Sequence, residues 1–531
     1  MGFFLPMRYN ALVLKKHIGI MLSKTPSWKK LQQKASDKSI TDLRKLFSDS
    51  NRVDRFSFKF GKLHLDLSKN WLDESVHSLL CKLAEEMQLS QKIDDLFAQK
   101  IVNVTENQAA SHILVRDPSR LKDNHQALFT FAEKIKQHQL LTAFGQPVKH
   151  IVNVGIGGSY LGPRLVTEAM TDLQSNADMT IDFIASVDDS LINQLFLSID
   201  PENTLFCISS KSFGTVETLN NATAILQRLK NIPGYNTSQN HSSMMAITAN
   251  QDRAVGLGIP ESHILNFDHT IGGRFSLWSS IGFPIVMAAG EQTFIELLKG
   301  AASMDKHFQQ TKFDNNLPVL MALTSIWYRN FMGLSAYTAL PYDARLRCFP
   351  AWLQQLMMES TGKMHDASGE QLHYPTSPWV FGDHGQLSQH AFFQAFHQGN
   401  DILPIDFIGV LNPLSESQQF LLVNMIAQGA ALMNGKTADN PLSHCLGNRP
   451  SSTLLLEDLS ATAMGQLLAL YEHMVYTQSV LWGVNCFDQP GVELGKDIAR
   501  NIEQHIRHNT LNQLQLDPST EALIQHVMKD E

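Results

Sequence analysis

An apolar strand runs directly into a helix within the segment Leu205-Phe-Cys-Ile-Ser-Ser-Lys-Ser-Phe-Gly-Thr-Val-Glu-Thr218. Apolar residues at helical spacing continue the pattern at Ile225, Leu226 and Leu229. The junction carries hydroxyl groups and one lysine, at Ser209, Ser210, Lys211, Ser212 and Thr215. A helix N-terminus has unpaired N–H donors and about half a positive charge. The segment therefore predicts a phosphate-binding loop; the alternative is a Ser/Thr-rich turn that only caps the helix.

Two further strand candidates, 149–154 and 180–185, precede the strand at 203–208, with helical segments between them. Such alternation predicts a parallel sheet, in which ligands bind at the carboxyl ends of the strands. The first strand enters the turn Gly155-Ile-Gly-Gly-Ser159, which does not continue as a dinucleotide motif because residue 160 is Tyr. We expect Gly158 and Ser159 to approach a sugar or phosphate at the same edge; a plain strand-to-helix turn is the alternative.

Length and composition indicate a globular protein of several domains. The chain has 531 residues, of which 43% are hydrophobic and 18% charged. A net charge of -8 argues against a nucleic-acid partner. The sequence has no run of about 18 apolar residues, so we expect no membrane span. Five scattered cysteines without a Cys-x-x-Cys motif favour a reducing compartment, so we expect a cytoplasmic protein.

The alternation of strands and helices returns in the second half of the chain. Strands are predicted near 334–340 and 402–410, and long helices near 317–332, 420–433 and 465–482. Residues 21–100 have a mainly helical pattern. We therefore expect a disordered extension at 1–20, a helical region at 21–120, α/β domains at 121–290 and 300–485, and a C-terminal arm at 486–531.

Charged side chains suited to catalysis occur in two segments. Gln355 and Glu359 are four residues apart on a helix predicted between Pro350 and Gly362, so their side chains share a face, and a partly buried Glu359 could serve as a general base. Arg274 follows two glycines and could stabilise developing negative charge. The alternatives are an ordinary surface glutamate and a structural ion pair.

Three more polar residues are candidates near the C-terminal half. His390 stands at a predicted loop-to-helix junction, where a proton shuttle or a structural histidine would fit. Gln489 and Lys496 bracket a predicted glycine turn. The histidines have no His-Glu-x-x-His spacing, so we predict no catalytic metal and no cofactor.

Together these segments closely resemble the glucose-6-phosphate isomerase family, from Val102-Asn-Val-Thr-Glu-Asn-Gln108 to Lys496. Asn448-Arg-Pro-Ser-Ser452 and Ala469-Leu-Tyr-Glu-His473 fit as well. The resemblance implies two sugar-isomerase (SIS-type) domains, each a parallel sheet flanked by helices, with an N-terminal helical part and a C-terminal arm. It also implies a homodimer with shared active sites.

The resemblance further implies a role for each candidate residue in the interconversion of glucose 6-phosphate and fructose 6-phosphate. Glu359 would move the proton between C1 and C2, and Arg274 would stabilise the cis-enediolate. His390 from the partner subunit, oriented by Glu217, would assist ring opening, and Lys496 would contact the ring oxygen. The substrate would be held by Gly158, Ser159, Ser210, Lys211, Ser212, Thr215, Gln355 and Gln489.

This chain departs from the family pattern at a few positions. Pro490 replaces a usual Trp, Gln386-Leu-Ser388 replaces Thr-Asn-Gly, and Gly214 lacks a hydroxyl that the family has there. Two other functions remain open: a non-catalytic phosphosugar-binding regulator, and an isomerase for another sugar phosphate such as mannose 6-phosphate. The regulator would have no use for Glu359, His390 or Lys496.

Overall fold

The computed structural model describes residues 21–170, 179–236, 243–412, 415–508 and 510–528. The extension expected at residues 1–20 lies outside these ranges. The chain forms two compact units, Met1–Phe487 and Asp488–Glu531, and each is described by itself.

In the described ranges, the strands of the first unit form two sheets. They are β1 (Ser57–Phe60), β2 (Leu63–Asp66), β3 (His150–Val154), β4 (Thr180–Ile184), β5 (Thr204–Ser209), β6 (Met244–Thr248), β7 (Ile264–Asn266), β8 (Ala336–Pro341), β9 (Trp379–Phe381), β10 (Ile405–Val410) and β11 (Ser451–Leu456).

The first sheet has the order β4-β3-β5-β6-β7, and all its neighbouring strands are parallel. Every residue of β5 is buried, because helices cover both faces of such a sheet. The three strands predicted at 149–154, 180–185 and 203–208 are confirmed within one residue at each end. The short strands β6 and β7 were not predicted, since apolar runs of this length do not separate strand from helix.

The second sheet has the order β1-β2-β11-β10-β8-β9. Strands β11, β10, β8 and β9 are parallel, whereas β2 pairs antiparallel with both β1 and β11. The hairpin β1–β2 lies within the region that the sequence pattern indicated as mainly helical. Leu63 and Leu65 face the core and pair with β11, a partner almost 400 residues away that local periodicity cannot reveal.

The α-helices of the first unit surround and connect these sheets. They span Pro26–Ala35, Leu43–Leu46, Arg52–Arg55, Glu74–Glu86, Leu89–Phe97, Leu121–Lys136, Leu161–Ala169, Asp189–Ser198, Val216–Lys230, Gln251–Gly256, Phe283–Ala289, Glu291–Gln310, Leu317–Ile326, Phe349–Gln354, Gly385–Ala391, Phe393–Gln398, Glu416–Asn434 and Ala461–Trp482. Two π-helices span Trp327–Phe331 and Gln355–Glu359. No helix in the described ranges is long and apolar enough to cross a membrane.

Two long helices pack unusually closely in the core. A Cβ at Gly465, on Ala461–Trp482, would overlap the carbonyl of Leu297, and a Cβ at Gly300, on Glu291–Gln310, would overlap the backbone of Thr462. The two glycines therefore allow backbone-to-backbone contact between these helices.

A buried ionic cluster ties the same helices to the segment that carries Arg274. Arg116 is fully buried and donates to both oxygens of Asp305, at 2.6 and 2.8 Å, and to Glu472 at 2.5 Å. Glu472 also accepts from the indole of Trp278, at 2.8 Å. Because the charges are paired and hydrogen-bonded, their burial is tolerated, and they hold the Gly273–Trp278 turn in place.

The second unit consists of the helices Pro490–Arg507 and Pro518–Met528, joined through the short turn Leu511–Gln513. The glycine turn predicted between Gln489 and Lys496 is wrong. Gly491 and Gly495 lie inside the first helix, which begins with Pro490 at a position where its missing N–H costs nothing.

Candidate active site

The carboxyl ends of β3 and β5 lie side by side, and one buried asparagine joins them. Asn153 accepts from the hydroxyl of Ser209 at 2.7 Å and donates to the carbonyl of Ser159 at 3.0 Å. The glycine turn after β3 and the loop after β5 are thereby held at one edge of the sheet, as their positions in the sequence predicted.

The loop after β5 is anchored on β6. Ser210 donates its backbone N–H to Ile247, at 3.0 Å, and the carbonyl of Lys211 accepts from the backbone of Ala249, at 3.0 Å, and the hydroxyl of Thr248, at 3.1 Å. The hydroxyls of Ser210 and Thr215 are 3.3 Å apart. Two of the predicted phosphate-binding hydroxyls are therefore neighbours on a fixed backbone.

The geometry at the start of the following helix does not match simple capping. Thr215 is the N-cap residue of Val216–Lys230, yet its side chain makes no capping hydrogen bond. Phe213 adopts a positive φ of 44° although it is bulky and buried, a conformation that costs energy and often marks functional loops. The N–H groups of the first turn thus remain available to an anion.

Lys211 lies in a field of mixed charges. Burial lowers its pKa, the carboxylates of Glu106 and Asp268 act in the opposite direction, and the guanidinium of Arg274 adds to the lowering. This coupling places the ammonium group of the loop within electrostatic reach of Arg274. An anionic ligand close to both cations would reduce this repulsion.

The glycine turn packs directly on the segment that carries Arg274. A Cβ at Gly158 would overlap the carbonyl of Gly273 and stand 2.7 Å from the backbone nitrogen of Arg274. At Gly157, where φ is +59°, a Cβ would stand 2.8 Å from Nε2 of Gln355. The structure thus brings together the glycine turn, Arg274 and Gln355, which the sequence presents as three separate motifs.

Arg274 is buried and held by two neutral groups close to Glu359. Its Nε donates to the hydroxyl of Ser360 at 2.7 Å, and its Nη2 donates to the carbonyl of Cys486. Nη1 lies 3.7 Å from Oε1 of Glu359, whose side chain is 19% exposed. The carboxylate is thus close to a fixed positive charge and still accessible to a ligand.

The helix predicted around Glu359 changes type where the candidate residues lie. The α-helix ends at Gln354, and Gln355–Glu359 is a π-helix. The π-helix is rare in proteins overall, and where it occurs it is often at a functional site. Lys363 donates to the carbonyls of Glu359 and Ser360, at 3.4 and 2.7 Å, and so supports the end of the π-turn.

His390 and Glu217 lie in the same unit and are not joined. His390 is exposed, next to the end of the helix Gly385–Ala391 rather than at a loop-to-helix junction as predicted. Within the described ranges its side chain makes no hydrogen bond or ion pair, and Oε2 of Glu217 is buried without a hydrogen-bond partner.

The last two candidates, Gln489 and Lys496, belong to the second unit. Lys496 lies on the helix Pro490–Arg507, where its ammonium group is 3.5 Å from Glu493. No group of three His, Cys, Asp or Glu residues in the described ranges is placed to hold a metal ion.

Sequence reasoning missed three residues that shape this site. Asn153 lies inside an apolar strand, and a polar residue at such a position could have indicated a structural or functional role. Ser360 directly follows Glu359, but its bond to Arg274 depends on tertiary packing. Arg253 lies on Gln251–Gly256 and donates to the carbonyl of Ser212 at 3.2 Å, and no sequence pattern pointed to it.

Comparisons with known proteins identify the family of this chain. The family model described as phosphoglucose isomerase matches residues 66–524. A glucose-6-phosphate isomerase of Ectopseudomonas mendocina is 38% identical over 541 residues, covering 95% of this chain and 97% of the relative. One from Acinetobacter baumannii is 40% identical over 519 residues, covering 91% and 93%.

A solved structure supports the same relationship. The crystal structure of a glucose-6-phosphate isomerase from Chlamydia trachomatis superposes with a TM-score of 0.83 at 29% identity, covering 96% of this chain and 99% of that one. Sequence and structure agree over nearly the whole length, and we conclude that the chain belongs to the phosphoglucose isomerase family.

Proposed function

We infer that this chain is an aldose–ketose isomerase that interconverts glucose 6-phosphate and fructose 6-phosphate, a step of glycolysis and gluconeogenesis. The observation that carries the inference is the buried Arg274 at 3.7 Å from the accessible carboxylate of Glu359. Beside them lies the loop with its hydroxyls and Lys211, which leads into a helix that its N-cap side chain does not cap. No observation favours a binding-only regulator, which would have no use for a base beside a fixed guanidinium.

The loop after β5 would hold the phosphate. Ser210, Lys211, Ser212 and Thr215 supply hydroxyl and ammonium donors. The first turn of Val216–Lys230 supplies N–H groups that the N-cap Thr215 side chain does not cap. Gly158 and Ser159 would contribute from the neighbouring turn. This half of the site fixes the substrate and does no chemistry itself.

The proton transfer would occur at the π-helix. Glu359 would remove the proton from C2 of the open aldose and return it to C1, so that the carboxyl carries it through a cis-enediolate, while the hydroxyl proton on O2 passes to O1. Arg274, held by Ser360, would stabilise the negative charge that develops on the adjacent oxygen. Gln355 would line the site; Gln489 and Lys496 enter the proposal on the resemblance alone.

Replacing the proposed base tests this assignment. Glu359→Gln keeps the shape of the side chain but cannot accept the proton, so kcat should fall by about 10²–10⁴-fold while fructose 6-phosphate still binds. Glu133→Gln, an exposed position on Leu121–Lys136, is the matched control and should keep wild-type activity. Near-normal turnover of Glu359→Gln would overturn the role of Glu359. Wild-type activity in EDTA would support the proposed independence from metals.

We also propose a homodimer in which His390 reaches the partner's active site and meets Glu217. The exposed, unpartnered histidine and the buried carboxylate oxygen without a partner support this arrangement. The helix Glu416–Asn434 exposes apolar side chains that a partner could cover: Phe420 is 61%, Val423 57% and Ile426 58% exposed.

Mixing two inactive variants tests the shared site. In a hybrid dimer of Glu359→Gln with His390→Ala, one of the two sites has both groups intact. Co-expression should therefore restore about a quarter of wild-type activity, since about half of the dimers are hybrids. Absence of recovery in samples where native mass spectrometry detects the hybrid dimer would contradict the shared site. A mass of 59.5 kDa by light scattering would contradict the dimer.

Domain boundaries and location complete the proposal. We place the helical region at 21–120, the two sugar-isomerase domains at 121–290 and 300–485, and the arm at 486–531; limited proteolysis that cuts first inside either domain would contradict these limits. All five cysteines are free, which suits the cytoplasm. Recovery of the protein outside the cytoplasmic fraction would contradict that location.

A further inference from the structure

Gly214 leaves room for an arginine beside the phosphate-binding loop. A Cβ at position 214 would occupy the space taken by Nη1 of Arg253, and the hydroxyl of Ser212 lies 3.5 Å from the same point. Any side chain at 214 would therefore displace this guanidinium. The missing hydroxyl and the neighbouring arginine are two parts of one local arrangement.

Arg253 is positioned by the strand next to the loop. The helix Gln251–Gly256 follows β6, and its N-cap Asn250 accepts from the backbone N–H of Arg253 at 3.3 Å. Because β6 lies beside β5, the start of this helix lies beside the loop. Nη1 donates to the carbonyl of Ser212, at 3.2 Å, so the guanidinium touches the proposed cradle.

The remaining donors of this guanidinium have no protein partner. Arginine has five N–H donors, and the bond to Ser212 is the one hydrogen bond that the Arg253 side chain makes within the described ranges; no carboxylate pairs with it there. The side chain is exposed to solvent. A cation with unused donors at the mouth of an anion site suits a phosphoryl oxygen, which arginine binds through two parallel hydrogen bonds.

We propose that Arg253 is a further binding residue for the phosphoryl group of the substrate, and that Gly214 is the position that admits it. The proposal rests on the isomerase function inferred above. Arg253 takes over the contact that a hydroxyl at 214 would make, and it adds positive charge to a loop whose lysine is partly buried. It acts on binding, because the phosphate is remote from the carbons between which the proton moves.

Steady-state kinetics of Arg253→Gln test the proposal. KM for fructose 6-phosphate and the inhibition constant of inorganic phosphate should both rise about tenfold, as for loss of one charge-assisted hydrogen bond, while kcat changes less than about threefold. Arg253→Lys should recover part of both losses. Arg44→Gln, an exposed arginine in the Leu43–Leu46 helix, is the matched control and should change neither constant.

A double-mutant cycle tests the role of Gly214. Gly214→Thr restores a hydroxyl but displaces the guanidinium, so it should raise KM in the wild-type background and cost much less in Arg253→Gln. Equal effects in both backgrounds would overturn the proposed link between the two positions. An unchanged phosphate inhibition constant in Arg253→Gln would overturn the contact itself, and so would a raised KM that Arg253→Lys does not improve.

Wild-type activity separates this proposal from the inferred function. If the wild-type protein isomerises the sugar phosphates and Arg253→Gln is unaffected, only the role of Arg253 fails. If the wild-type protein is inactive, the isomerase function fails, and calorimetric titration of both proteins with inorganic phosphate still decides the contact: weaker binding by Arg253→Gln supports it, and equal binding overturns it.

Discussion

The contact between the glycine turn and the Arg274 segment gives a direct test of how this site is built. Gly158 has no room for a Cβ, which would overlap the carbonyl of Gly273 and approach the backbone of Arg274. In Gly158→Ala the two segments must therefore separate. A Cβ at position 158 would lie 1.9 Å from the carbonyl oxygen of Gly273, and real Cβ atoms are almost never closer than 3.0 Å to another atom. The carbonyl must therefore move away by about 1 Å.

That displacement acts on the guanidinium more than on the fold. Arg274 follows Gly273 directly, so its bond to Ser360 and its distance to Glu359 change with it. A misplacement of about 1 Å can reduce turnover by about 10²-fold. Overpacking costs about 1–3 kcal/mol, which a chain of this size tolerates. We therefore expect Gly158→Ala to fold, to bind phosphate and to lose about two orders of magnitude in kcat.

The assay is the initial rate of fructose 6-phosphate formation, with thermal unfolding measured on the same samples. Gly256→Ala is the matched control, because a Cβ there meets no atom within 4 Å. It should keep wild-type rate and stability. If Gly158→Ala keeps more than half of the wild-type kcat, the close packing of the turn on the Arg274 segment does not position the arginine, and the reasoning is refuted.

Three further predictions concern buried polar groups. Ser360→Ala removes the acceptor of Arg274 Nε, so kcat should fall about tenfold with KM little changed; a changed KM alone would contradict this positioning role. Arg116→Met leaves the buried carboxylates of its cluster unpaired and should destabilise the protein by about 3–5 kcal/mol; unfolding at the wild-type temperature would refute this. Burial raises the pKa of Asp406 to about 6, so the folded state holds this proton more tightly than the unfolded chain does. The contribution of the protonated Asp406 to the free energy of unfolding is therefore complete below about pH 4 and is lost as the pH rises through about 6. The melting temperature of Asp406→Asn should therefore rise relative to that of the wild type as the pH is raised from about 4.5 to 7.5. A difference between the two proteins that does not change with pH would contradict the assignment.

Local sequence determined the elements at the candidate site. The strands β3 and β5 and the helix after Thr215 were predictable because their apolar runs and helical spacing are properties of neighbouring residues. Parallel pairing then required the loops after β3 and β5 to share an edge. The loop after β5, Arg274 and Glu359 could therefore be selected as candidates from their chemistry before their distances were known.

Only the tertiary structure decided how these pieces meet. The hairpin β1–β2 joins a sheet whose other strands lie far along the chain, and no local period reveals such a partner. The π-turn at Gln355–Glu359 and the missing capping bond of Thr215 depend on tertiary packing, which helix propensity does not describe. The place of Arg253 beside Gly214 results from the adjacency of β5 and β6. Long-range contacts set these features because their energies depend on which surfaces the fold brings together, whereas the sequence specifies directly only what neighbouring residues do to one another.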